Sequence, residues 1–209
     1  MNRGNKSRLA ISKREAEMPA RTVRHRYLRF ATFAQAVLFC IATVSSAQTN
    51  PSSEYQVKAA FLFHFTQFVE WPEASFKDPG SPLTYCTIGE DPFHGSLDSA
   101  LSGKAIGVRS FRVLHFKQPQ DIQGCHVLFL AAVQKKMNAA IMASIQKSSV
   151  LTVGESEHFA QEGGMIGFVL EDNKIRFEIN LEAAQKANLR ISSRLLTLAK
   201  SVIGGQRGT

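Results

Sequence analysis

GGMIGFVLEDNKIRFEINLEAAQKANLRISSRLLTLA, residues 163–199, decides how the rest of the chain is read. Gly163-Gly164 break the chain. Two apolar-rich runs, residues 165–171 and 174–180, then flank Asp172-Asn173. Two turn-prone residues between two such runs predict a β-hairpin. In the second run Ile175, Phe177 and Ile179 alternate with Lys174, Arg176, Glu178 and Asn180. That period of two gives one buried and one polar face. Asn180 reads as the N-cap of a helix over 181–187, and Asn188 as its stop. Ser192 or Ser193 opens another helix, with Leu195, Leu196, Leu198 and Ala199 on its apolar stripe. The glycine pair precedes a strand, so its expected use is conformational. A dinucleotide site would need Gly-x-Gly-x-x-Gly between a strand and a helix.

Working outward, residues 53–71 predict a long first helix, with Ser53 and Gln56 as a capping box and Pro72 as its stop. Val57, Phe61, Phe65 and Phe68 fall on one face, widened by Leu62, Phe63 and Val69. So broad a stripe predicts packing on two sides. Strands follow over 83–89, 109–116, 127–132 and 150–153, the third nearly all apolar and so buried on both faces. Short helices fall between them at 93–101 and 134–146, the latter with Met137, Ile141 and Ile145 on its stripe. Strands alternating with helices imply parallel pairing through right-handed crossovers. The expected fold is a single α/β domain: a mixed, mostly parallel sheet with helices on both faces, edged by the C-terminal hairpin and followed by terminal helices.

The amino end reads as an export leader spanning residues 1–47. Arg21, Arg24, Arg26 and Arg29 precede an apolar run over residues 30–44, and Ser45-Ser46-Ala47 supply small residues for cleavage between Ala47 and Gln48. The run is about 15 residues, short of the roughly 20 that cross a membrane. Met18 gives the leader a more ordinary length than Met1. Phe39 before Cys40 excludes lipoprotein processing. Residues 48–53 and 204–209 read as loose tails around a domain over 54–203. The leader holds nine of the 25 Lys/Arg and two of the 17 acids, so the remainder carries a net charge of +1. The high pI therefore belongs to the leader, and the clustered basic surface that nucleic acid requires is missing.

Three blocks together resemble the YfiR family: the stretch above, EYQVKAAFLFHFTQFVEWP at residues 54–72, and the cysteines of YCTIGEDPF and GCHVLFL, Cys86 and Cys125. These are small periplasmic proteins best known as repressors of membrane-bound diguanylate cyclases. The resemblance implies periplasmic localisation, no catalytic activity and a homodimer. The implied partner is the periplasmic part of an inner-membrane diguanylate cyclase, relieved by an outer-membrane peptidoglycan-binding lipoprotein. A bridge between Cys86 and Cys125 fits an even cysteine count in an oxidising compartment, and the corresponding pair is bridged in known family members.

Few other residues invite chemistry. His64, His94, His115, His126 and His158 show no metal-ligand spacing, so neither metal nor cofactor is expected. Glu90-Asp91 follows a strand and reads as a loop and helix-start feature. Ser192-Ser193 lacks a nucleophile-elbow context. The expected partner surface combines Phe61, His64, Phe65 and Phe68 of the first helix, Phe159 in the loop ESEHFAQ (residues 155–161), and Arg176 and Glu178 of the hairpin. Arg176, Glu178 and the Asn180 cap could equally serve the fold internally, and Phe159 could equally plug the core. An alternative function is a sensory module that binds a small aromatic ligand in an apolar pocket between the first helix and the sheet.

Overall fold

A computed structural model describes residues 51–118, 122–132, 135–146 and 148–205, with backbone alone for Pro51 and residues 135–139. The leader, its cleavage point at Ala47 and Gln48, the Met137 side chain and the last four residues lie outside the described residues.

The long apolar strands form the middle of an eight-stranded sheet. In chain order the elements are α1 (Pro51–Thr66), β1 (Val69–Glu70), a 3₁₀ turn (Glu73–Ser75), β2 (Leu83–Ile88), α2 (Ser96–Leu101), β3 (Ala105–Ile106) and β4 (Arg109–Phe116). Then come β5 (Val127–Leu130), α3 (Lys135–Ser144), β6 (Leu151–Gly154), β7 (Ile166–Glu171) and β8 (Lys174–Asn180). The chain closes with α4 (Leu181–Lys186), β9 (Arg190–Ile191), α5 (Ser193–Leu198) and β10 (Ser201–Ile203). The sheet order is β10-β8-β7-β6-β5-β2-β4-β3. From β7 through β6, β5 and β2 to β4 every pairing is parallel, as crossovers through helices require. The β7–β8 pairing is the expected antiparallel hairpin, in register from Ile166↔Ile179 to Glu171↔Lys174. Asp172 and Asn173 both take positive φ, the geometry of a tight primed turn.

The hairpin is not the sheet edge. Residues 201–203 form β10, which pairs parallel with β8 and becomes the outermost strand. Three residues carry too little periodicity to announce a strand. The first helix also ends earlier than its apolar pattern predicts, at Thr66 instead of residue 71. Thr66 Oγ1 donates back to the Phe63 carbonyl and meets the Tyr85 hydroxyl of β2 at 2.9 Å. Gln67 and Phe68 tighten the exit with i→i−3 bonds, and Val69–Glu70 pairs with β9. The helix begins at Pro51, which places Ser53 inside it and not at its cap.

Two apolar clusters sandwich the sheet. The larger joins Leu62 and Phe65 of α1, Leu97 and Leu101 of α2, Ala184 of α4 and Leu195 of α5 to Leu83, Tyr85, Val127, Phe129, Leu151, Val153, Ile166, Phe168, Phe177 and Ile179. The smaller, on the other face, joins Ile141 and Ile145 of α3 to Cys86, Ile88, Leu128 and Leu130. Alternation along each strand sends neighbours to opposite clusters. Val57 and Leu198, both expected on buried stripes, are 45% and 61% exposed. The buried face of α1 runs instead through Lys58, Ala59, Leu62, Phe65 and Thr66. Asn180 caps α4, accepting from the Ala183 amide, and Ser192 caps α5. Asn188 adopts positive φ just past α4, as a helix stop does.

Candidate functional site

The aromatic residues of α1 turn inward. Phe61 lies 5.9 Å from Phe168 and 5.8 Å from Phe177, between ring centroids. Phe65 lies 5.7 Å from Phe168 and 5.0 Å from Phe177. Each such pair contributes about 0.5–1.5 kcal/mol beyond burial. Phe65 is fully buried, Phe61 and Phe68 are half-buried against the same cluster, and His64 is exposed beside Gln67. The broad stripe is consumed by the hairpin on one flank and by Phe63 against Phe111 of β4 on the other.

Phe159 lies on the opposite face, buried to 5% exposure in the smaller cluster. The segment expected as a surface loop is folded onto the sheet, with only Glu157, His158 and Gln161 exposed. The reason is a slot of bare backbone. A Cβ at Gly154 would come within 2.6 Å of the Phe159 ring, and one at Gly164 within 2.1 Å. Gly163 has φ +102° and is needed for its conformation, but Gly164 is needed for the space it leaves. Arg176 and Glu178 project on this same face, where Glu178 accepts a 2.7 Å bond from Gln161. Asn180 donates to the Ala160 carbonyl at 2.8 Å. The residues expected to form one partner surface thus divide between two faces of the sheet. Phe65 and Phe159 are core residues, because the hairpin aromatics and the glycine slot cover them.

Cys86 on β2 and Cys125, just before β5, are disulfide-bonded, with Cα atoms 5.9 Å apart. Parallel pairing of β2 with β5 brings them together under the second cluster. Closing a loop of 39 residues stabilises by about 4 kcal/mol on the chain-entropy account. Next to the bridge, His126 accepts from the Thr84 amide at Nδ1 (3.1 Å), and Nε2 meets the Ser75 carbonyl at 3.1 Å. Its ring stacks on Phe76 at 4.4 Å, and the Arg109 guanidinium lies 3.6 Å from the Phe76 centroid. Burial lowers the His126 pKa below the ordinary histidine value. The neutral tautomer with Nε2–H satisfies both contacts and ties the 3₁₀ turn to the sheet.

A largely buried polar network stands where β2, β5 and β6 end. Lys58 Nζ lies 2.5 Å from both Glu155 Oε2 and Glu54 Oε1. The Lys58 and Glu155 side chains are 7% and 9% exposed. The Tyr55 hydroxyl donates to Glu155 Oε1 at 2.9 Å, and the Ala132 amide adds a bond at 3.3 Å. Burial, then the Glu155 charge, pushes the Tyr55 phenol above its usual range, so it keeps its proton. A cavity of about 350 Å³ opens above this network, lined by Tyr55, Glu90, Asp91, Pro92, Phe93 and Glu155 among others. The sequence reading missed Tyr55, Phe93 and Glu155. Glu90-Asp91, after a parallel strand, was the signal that could have found them. Among the described residues no group of three or more His, Cys, Asp or Glu could hold a metal ion, and no helix is long and apolar enough to cross a membrane.

An α/β domain with a mixed sheet, a disulfide tying central strand β2 to the residue pair before β5 and an aromatic first helix locked on a C-terminal hairpin defines the class. The chain belongs to the YfiR/HmsC-like family, whose model matches residues 55–200. That family comprises periplasmic regulators associated with diguanylate cyclase signalling. Among solved structures, the chain is similar to a conserved domain protein from Vibrio cholerae O1 biovar El Tor N16961, at 9% identity and a TM-score of 0.48. The match covers 71% of this chain and 60% of that one.

Proposed function

We propose that the mature protein is a non-catalytic periplasmic regulator. It binds the periplasmic sensor part of an inner-membrane diguanylate cyclase and holds the enzyme inactive, lowering cyclic di-GMP and biofilm formation. The observation that carries the reading is the family match across nearly the whole folded domain. The leader pattern of residues 1–47 and the Cys86–Cys125 bridge support an oxidising compartment.

Repression requires tighter binding to the inactive sensor state than to the active one; a thousandfold preference corresponds to about 4 kcal/mol. The contact surface is the outer side of α1, where His64 and the exposed Val57 stand beside half-buried Phe61 and Phe68. Arg176 and Glu178 form a separate polar patch on the other face, suited to a second partner such as a peptidoglycan-binding lipoprotein, or to a second copy of the chain. The test is deletion of the gene with measurement of cyclic di-GMP and biofilm. A rise that is reversed by the wild-type gene, and not by a His64→Glu, Val57→Glu variant that folds normally, supports the reading. Unchanged cyclic di-GMP in a strain whose membrane cyclases are intact overturns it.

A further inference from the structure

The connection after β2 runs through α2 on one face of the sheet to β4, and the connection after β5 runs through α3 on the other face to β6. The strand order therefore reverses between β2 and β5. In open α/β sheets such a reversal leaves a crevice outside the carboxyl ends of the strands, and ligands bind there. The 350 Å³ cavity occupies that crevice: Glu90, Asp91, Pro92 and Phe93 follow β2, Ala131 follows β5 and Glu155 follows β6. Its volume lies within the range of small-molecule sites, which begins at about 300 Å³.

The lining fixes the ligand's chemistry. Tyr55, backed edge to face at 5.5 Å by the buried Phe93, supplies an aromatic wall, continued by Pro92. Three of the polar side chains are carboxylates, Glu90, Asp91 and Glu155, beside the hydroxyls of Ser52, Tyr55 and Ser96. The Tyr55 hydroxyl spends its proton on Glu155, which leaves its oxygen to accept from a ligand. Asp91 Oδ1 takes the Phe93 amide at 3.1 Å, which pins the loop and sets the carboxylate at the cavity. Glu90 stands exposed at the rim. Lys58 is the buried cation nearby, and its charge is already matched by Glu54 and Glu155. The amino end of α1 adds about half a positive charge, which Glu90 and Asp91 outweigh. His94 completes the rim.

We propose that this crevice is a binding site for a small primary amine with an aromatic body, its ammonium held by Asp91, Glu90 and the Tyr55 oxygen and its ring against Tyr55 and Pro92. The site does not depend on the cyclase reading, because it lies apart from the outer side of α1.

The test is calorimetric titration of the exported, oxidised chain with phenethylamine and, separately, phenylacetate, which has a similar body and the opposite charge. Saturable binding of the amine, weakened at least about tenfold by Glu90→Gln with Asp91→Asn, supports the site, since each substitution removes the charge and keeps one acceptor oxygen. The Asp91→Asn side chain still accepts from the Phe93 amide, so unchanged thermal unfolding verifies that the variant folds. Binding of phenylacetate as tight as that of the amine overturns the proposal. So does absence of saturable amine binding, or amine binding indifferent to the two substitutions.

Discussion

Gly164→Ala isolates the slot that holds Phe159. The Gly164 backbone is outside the positive-φ region, so alanine meets no conformational penalty there. On backbone entropy alone the change would stabilise by about 0.4–1 kcal/mol. The added methyl would instead fall 2.1 Å from Phe159 Cε1 and 2.3 Å from Cδ1. The ring cannot retreat along its own plane, because Gly154 holds its other edge, with a Cβ position 2.6 Å from Cδ2. Overpacking of this kind costs about 1–3 kcal/mol. Phe159→Ala alone costs about 3–5 kcal/mol by emptying the slot. In that background the Gly164→Ala methyl enters vacated space, and its effect changes sign. The swing between the two backgrounds is about 1.5–4 kcal/mol, a large coupling for a pair in contact. Urea denaturation followed by the fluorescence of Trp71, the chain's single tryptophan, measures all four corners of the cycle. Equal costs for Gly164→Ala in both backgrounds, within about 0.5 kcal/mol, would refute the slot.

Two further outcomes use the same denaturation assay. Replacing Cys86 and Cys125 together by alanine lowers stability by up to about 4 kcal/mol, and reductant brings the wild type toward the double variant; a wild type indifferent to dithiothreitol would count against the bridge. The folded-state pKa of His126 is depressed by burial, so its contribution is fully present above the unfolded value of about 6.5 and is lost as pH falls through the folded value. Stability measured from pH 8 to pH 5 therefore declines on acidification, and His126→Asn flattens that decline; an identical slope in the variant would show that another group titrates.

The hairpin, the caps at Asn180 and Ser192 and the central strands were legible in the sequence because each rests on local chemistry. Period-two alternation in residues 174–180 fixes a face whatever lies beside it, and Asn180 needs only its own helix to cap. Strand β4 falls where the alternation of Phe111 and Val113 places it. Short pairings such as β1 with β9, or β10 on β8, have no such signature, because two or three residues become a strand only when a partner edge is present. The end of α1 is similar. Its apolar pattern runs past Thr66, and the Tyr85 hydroxyl of a strand distant in sequence helps fix where the helix stops.

The candidate site divides along the same line. Cys86 and Cys125 could be paired from their number and an expected compartment. Phe65 and Phe159 could not be told from surface anchors, since an aromatic residue has the same composition whether it meets a partner protein or the bare backbone of Gly154 and Gly164. Nor could the crevice of Tyr55, Phe93 and Glu155 be seen, because it exists only where the sheet reverses its strand order. By itself the sequence determined where the longer strands and most of the helices fall, which faces of the hairpin and central strands are apolar, and which family the chain resembles. Tertiary structure alone decided which aromatic residues are already covered and which carboxylates converge on one cavity. Periodicity is a property of neighbours along the chain, whereas burial and convergence are set by contacts across it.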